Sequence, residues 1–237
     1  MFLVSEMQTF EMFSFPHIAV LVLFMASCLI LVYFRTTVKP YQSFIKWTLF
    51  SMLILSEVTH HIWLVATSQW GISSLPLQLC SLSTFMAIYL FLRPNKKVFY
   101  LLFFTGILPP ILSMVTPELF YQFPHYRFIK YFLHHGAISW AVLYFIVYEG
   151  YRVPRKAVWN AFFLLNIIAL PVFFINRILD TNFFYLANPT DSQTILSFFG
   201  SGIMYYINLE LAALLVFFIT YLPMGMLIKR ERKKNAY

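Results

Sequence analysis

Seven stretches of this chain, at 16–34, 45–66, 75–92, 98–115, 128–148, 157–178 and 203–228, each run close to 20 residues with few charges. That is the length an α-helix needs to cross a hydrocarbon core about 30 Å thick. Backbone placed in hydrocarbon must satisfy its own hydrogen bonds, so these runs predict helices rather than strands with open edges. Little chain is left over. The connections are short and carry turn residues, such as Arg93-Pro94-Asn95 and Tyr151-Arg152-Val153-Pro154, and the longest lies between Leu179 and Gly202. With no internal repeat and no low-complexity linker, residues 1–237 read as one all-α domain, a seven-transmembrane-helix bundle. Composition agrees: 60% of the 237 residues are hydrophobic and 11% charged, against roughly 45–50% and 25% in an average soluble domain. A soluble globular fold is excluded.

The net charge of +8 would raise the question of nucleic acid in a soluble protein. Here the basic residues lie in short clusters between apolar runs, so no nucleic-acid partner is expected. An N-terminus outside puts Arg35, Lys39 and Lys46, then Arg93, Lys96 and Lys97, then Arg152, Arg155 and Lys156, and finally Lys229, Arg230, Arg232, Lys233 and Lys234 on the inner side. These are 14 of the 17 Lys and Arg residues; Arg127, Lys130 and Arg177 fall outside. The positive-inside rule therefore predicts N-out, C-in, and with it an odd number of spans. The first run is preceded by Glu6 and Glu11 and lacks an obvious small-residue cleavage site, so it is expected to remain as an anchor in a multi-pass protein of the cell membrane. The two cysteines, Cys28 and Cys80, both sit in apolar runs, and no disulfide scaffold is expected.

An ionisable side chain near the bilayer centre costs roughly 2.5 to 3.5 kcal/mol on insertion scales, so each one needs a partner, a cavity or a job. The second run carries Glu57, His60 and His61, spaced to share one helix face. The third carries Gln78 and Cys80, the fifth His134 and His135, the sixth Asn166 and Asn176, the seventh Asn208 and Glu210. Counted inward at about 1.5 Å per residue, most of these groups share one layer near the outer ends of their helices, with Asn166 deeper. A polar cavity in the outer half of the bundle would look like this. The plainer reading is interhelical glue, worth about 0.6 to 2 kcal/mol per group. His17, Trp63, Trp70 and His125 read as interfacial anchors, and Cys28 as a small apolar filler.

Cysteine is nucleophilic as thiolate, so a reactive Cys80 requires a base within hydrogen-bond reach. The layer offers His60, His61, His134 and His135. A Cys-His pair could take an acyl group from a lipid ester, hold it as a thioester, and release it to water or an alcohol. Two other readings stand beside this one. The same layer could be the pocket of a transporter or small-ligand receptor. It could also hold zinc, although adjacent histidines point about 100° apart on a helix and no H-x-x-x-H is present. No phosphate-binding glycine loop appears, and the seventh run has no lysine before Lys229 to carry a retinal.

The run Leu75-Pro76-Leu77-Gln78-Leu79-Cys80, the His135-Gly136 step with Tyr144 further on, and Asn176 followed by Thr181-Asn182 and Pro189 resemble the YwaF family of bacterial integral membrane proteins. A human relative in that family is described as an acyltransferase that moves polyunsaturated acyl chains onto ether lysophospholipids with a cysteine and a histidine. By motif, the resemblance maps those roles onto Cys80 and His135. It departs at Gln78, where many members are expected to carry a histidine. The resemblance implies membrane phospholipids as partners and no cofactor. Glu57, His60, His61, Gln78, His134, Asn176, Asn182, Tyr206 and Glu210 are the residues expected to orient the pair or to bind substrate, and no metal ligand is assigned.

Overall fold

The computed structural model describes residues 9–190 and 194–235; Glu6, read above as flanking the first run, lies outside the described residues. Among the described residues there is no strand, only an isolated antiparallel bridge between Thr9 and Tyr121. The architecture is carried by α1 (Phe15–Tyr33), α2 (Gln42–Ala66), α3 (Leu79–Leu92), α4 (Lys96–Gly106), α5 (Leu108–Val115), α6 (Tyr126–Val147), α7 (Ala157–Leu179) and α8 (Gly202–Lys234).

Five stretches are long and apolar enough to cross a membrane: Phe15–Tyr33, Arg35–Ala66, Lys96–Val115, Ala157–Leu179 and Gly202–Lys234. Two of the seven expected spans fall outside that set. α3 is an apolar helix of only 14 residues. It starts at Leu79 rather than near 75, because Pro76 cannot donate and biases Leu75 to extended backbone; Leu75 has ψ 141° and Gln78, the N-cap, ψ 155°. α6 is 22 residues long but carries Arg127, Lys130, His134 and His135. The run 98–115 is likewise interrupted. The helix breaks at Ile107 (φ −106°, ψ −80°), and α5 restarts with Pro109 and Pro110 in its first turn, where the missing N–H groups cost no helical bond.

α6 is the centre of the bundle, packed against α1, α2, α3, α4 and α5. Its small residues permit this: a Cβ on Gly136 would stand 3.4 Å from Phe24 of α1, and Ala137 and Ala141 are fully buried. Toward the C-terminal end of α6 the core is aromatic, with Phe91, Phe99, Phe145 and Tyr151 in mutual ring contact. The outward faces of α1, α7 and α8 are apolar; Phe15, Ile178 and Ile203 are 85%, 80% and 76% exposed. That is the surface a bilayer covers.

Contacts between loops sort the helix ends into two faces. At the N-terminal end of α6, Gln122 Nε2 donates to Ser14 Oγ at 2.9 Å, and the Thr9–Tyr121 bridge joins the N-terminal segment to the α5–α6 loop. The α7–α8 loop arrives on the same face, where Phe184 N–H donates to Gln78 Oε1 at 3.0 Å. At the other end of α6, Arg152 donates to Glu231 at 2.6 Å, joining the α6–α7 connection to the end of α8. His17, expected at an interface, is instead fully buried. Its Nε2 lies 2.8 Å from Met114 O and its Nδ1 accepts from Phe13 N–H, so the ring ties α1 to the end of α5. Both ring nitrogens are thereby paired, which makes burial tolerable.

Candidate active site

A cavity of about 410 Å³ opens at the N-terminal end of α6, walled by α2, the start of α3, α5, α6 and the α7–α8 loop. Beyond the break at Ile107, Pro109, Leu112 and Ser113 of α5 line the wall. The volume lies within the range of ordinary small-molecule sites.

Cys80 is the second residue of α3, and its Sγ lies 3.2 Å from His135 Nε2. The other ring nitrogen of His135, Nδ1, lies 2.7 Å from the Tyr131 carbonyl oxygen. A carbonyl only accepts, so Nδ1 carries the proton and Nε2 presents its lone pair to the thiol. Tyr131 is itself held. Its hydroxyl donates to Ser113 O at 2.9 Å and its ring packs on His135 at 4.3 Å between centroids. A thiol, a ring nitrogen with a free lone pair at hydrogen-bond distance, and a carbonyl that sets the tautomer of that ring therefore meet at the cavity.

His134, next in sequence, does something different. Its Nδ1 lies 2.9 Å from Ser56 Oγ of α2 and its Nε2 3.3 Å from Thr84 Oγ1 of α3. The residue is 3% exposed, and it joins three helices at the cavity wall. Glu57 stands beside it, with Oε1 3.7 Å from His134 Nε2 and no hydrogen bond among the described residues.

Of the residues expected from sequence, Glu57, His60, His61, Gln78, Cys80, His134 and His135 all line the cavity. Asn176, Asn182, Tyr206 and Glu210 do not. Asn176 accepts from Thr181 Oγ1 and Phe183 N–H and donates to Phe183 O, and Asn182 binds the backbone of Ala187 and Asn188. Both shape the α7–α8 loop. Glu210 accepts from Asn166 at 3.1 Å on the exposed side of α8, and Tyr206 packs against Phe173 and Tyr205. Gln78 Oε1 ties down the loop at Phe184, which has φ 58°. That left-handed backbone turns the loop across the cavity.

Arg127, Lys130, Tyr131 and Glu118, none of them among the site residues expected from sequence, also line the cavity. For three of them the signal was spacing, since Arg127, Lys130, Tyr131 and His134 recur at three and four residues and share one face of α6. Arg127 donates from Nη1 to His60 Nδ1 at 2.8 Å, and its guanidinium lies 5.3 Å from the Trp63 ring. At the N-cap of α6, His125 Nδ1 accepts from Arg127 N–H at 3.1 Å; burial, then the Arg127 charge, hold this histidine below its ordinary pKa and keep it an acceptor. Glu118, in the α5–α6 loop, accepts from the hydroxyl of Tyr185 across the cavity. Burial and the adjoining Glu118 carboxylate push the Tyr185 phenol well above its ordinary value, so it serves as a donor. Among the described residues, no three His, Cys, Asp or Glu side chains converge as a metal site would require.

A helical bundle with apolar outward faces, enclosing a polar cavity where a cysteine meets a histidine, is a multi-pass membrane protein. The chain belongs to the TMEM164 family, whose model matches residues 12–221. No curated protein and no solved structure matches it significantly.

Proposed function

We propose that this protein is a membrane-embedded acyltransferase or acyl hydrolase acting on phospholipid acyl esters through Cys80 and His135. The reading rests on one observation: Cys80 Sγ lies 3.2 Å from His135 Nε2 while Nδ1 is tied to the Tyr131 carbonyl. In the first half-reaction Nε2 takes the thiol proton as Sγ attacks the ester carbonyl carbon. Collapse of the tetrahedral intermediate breaks the ester C–O bond, and His135 returns the proton to the departing alkoxide oxygen, leaving a Cys80 thioester and a lysolipid. In the second, a hydroxyl of water or of an acceptor lysolipid gives its proton to Nε2 and attacks the thioester. The acyl product leaves, and the proton returns to Sγ. The position of Cys80 in the first turn of α3 adds the positive end of the helix dipole beside the sulfur. The YwaF resemblance and its lipid acyltransferase relative point the same way.

The reading includes seven crossings, with α4 and α5 together forming one, the N-terminus outside and the site in the outer half at the cell membrane. The 14 basic residues assigned inside support this orientation. So does the Arg152–Glu231 pair, which puts two of the basic clusters on one face. α3 spans only about 21 Å, and the extended segment before it completes the crossing where it lines the cavity, the setting in which non-helical backbone is tolerated at membrane depth. The test is trapping. Protein incubated with a radiolabelled phospholipid should carry a hydroxylamine-sensitive acyl group that is absent from Cys80→Ala. A stable product formed equally by Cys80→Ala would overturn the covalent reading.

A further inference from the structure

We infer that Arg127 and Lys130 form the phosphate-binding end of this cavity, so that the site selects lipids carrying a phosphate headgroup over neutral acylglycerols. The inference rests on the acyl-ester reading above and names what holds the rest of the substrate. Both residues line the cavity, and among the described residues neither forms an ion pair. That is unusual for two cations inside an apolar bundle, where a charge without a counter-ion is costly. Glu118, the carboxylate of the facing loop, is taken by the Tyr185 hydroxyl, and Glu57, which acts on Lys130 through space, does not come within ion-pair distance of it.

The geometry of Arg127 favours an anion. His60 and the Trp63 ring hold the guanidinium in place through Nη1 and its π-face. Nε and Nη2 carry no hydrogen bond to a described residue, and together they form the fork that binds two oxygens of one phosphate. Lys130 follows three residues later on the same face, adding a point charge between that fork and the Cys-His pair. Along α6, Lys130 is five residues from His135 and Arg127 eight, roughly 7.5 and 12 Å of helix rise. With the phosphate between these cations, the few bonds of a glycerol backbone bring an acyl ester to Cys80. A neutral acylglycerol fills the same apolar volume but leaves both cations unpaired.

Binding of a lysophosphatidylcholine and of a monoacylglycerol with the same acyl chain, measured on the full chain in nonionic maltoside micelles, tests this directly. The wild type and Cys80→Ala should both prefer the phospholipid by about tenfold or more. Arg127→Gln and Lys130→Met should each remove most of that preference through weaker lysophosphatidylcholine binding. Lys130→Arg should keep it, which separates charge from folding. Equal affinity for the two lipids in the wild type would overturn the inference, as would inorganic phosphate binding with no preference between lipids. Thioester formation without a phosphate preference would sink this inference and leave the Cys-His mechanism standing. A preference without any thioester would leave the phosphate site standing and sink the mechanism.

Discussion

Cys28 and Cys80 are both free, both partly buried and both in apolar helices, yet the regions around them are built for different ends. Cys28 packs beside a cluster of Phe24, Met114, Leu119, Phe128 and Phe132, with Trp140 and Ser27 as its polar neighbours. Cys80 faces a cavity and a histidine whose tautomer is set by a backbone carbonyl. Burial does not separate the two thiols; their neighbours do. A sulfur in a packed cluster is a space-filler, whereas a sulfur with a base at hydrogen-bond distance and room for a substrate has the surroundings that the proposed nucleophile requires.

The largest effect that can break this contrast is on chemistry. Cys80→Ala and His135→Ala should each abolish the acyl-enzyme and all turnover of a lipid the wild type processes, while Cys28→Ala should retain near wild-type activity. Because nucleophile and base act as a unit, the double variant should be no slower than either single one. Loss of activity in Cys28→Ala with Cys80→Ala active would reverse the assignment.

A second contrast lies within one dipeptide. His134→Ala should act on stability, because it leaves Ser56 and Thr84 without their partner, at about 1–3 kcal/mol for each buried group left unpaired. Unfolding in mixed micelles should show that loss, whereas His135→Ala should unfold much closer to the wild type. Equal destabilisation of the two would remove the distinction between a structural His134 and the proposed base.

Asn176→Ala sharpens the role of the α7–α8 loop. It unpairs the Phe183 backbone and Thr181, costing about 1–3 kcal/mol, and should speed limited proteolysis near 183–190 while raising KM more than it lowers kcat. An unchanged cleavage rate would mean that the loop is held from elsewhere. The smallest effect is expected on the opposite face: Arg152→Ala removes a partly exposed ion pair with Glu231 and should cost no more than about 1 kcal/mol. A larger loss in the same unfolding assay would show that this face, rather than the cavity, limits stability.

Much of this was written into the chain. Long runs with few charges can only be helices in a bilayer, since hydrocarbon offers backbone groups no other partner. Four of the expected spans overlap helices both long and apolar enough to cross, and a fifth matches the α4–α5 pair. The depth count brought Cys80, His61, His134, His135 and Glu57 to one layer because rise per residue is constant along a helix. Rotation about each helix axis and the path of the loops were not legible. Glu210 and Asn176 share the depth but not the cavity, since α8 turns Glu210 toward Asn166 and the α7–α8 loop claims Asn176. That His135 rather than His134 meets the thiol is a matter of about 100° of rotation, which the packing of α6 against five helices decided. The choice of Tyr131 as the group that orients the base is a backbone contact, and any residue at that position offers the same carbonyl. Its identity as a tyrosine therefore carried no signal, and only tertiary structure could supply the sulfur that makes that hydrogen bond matter.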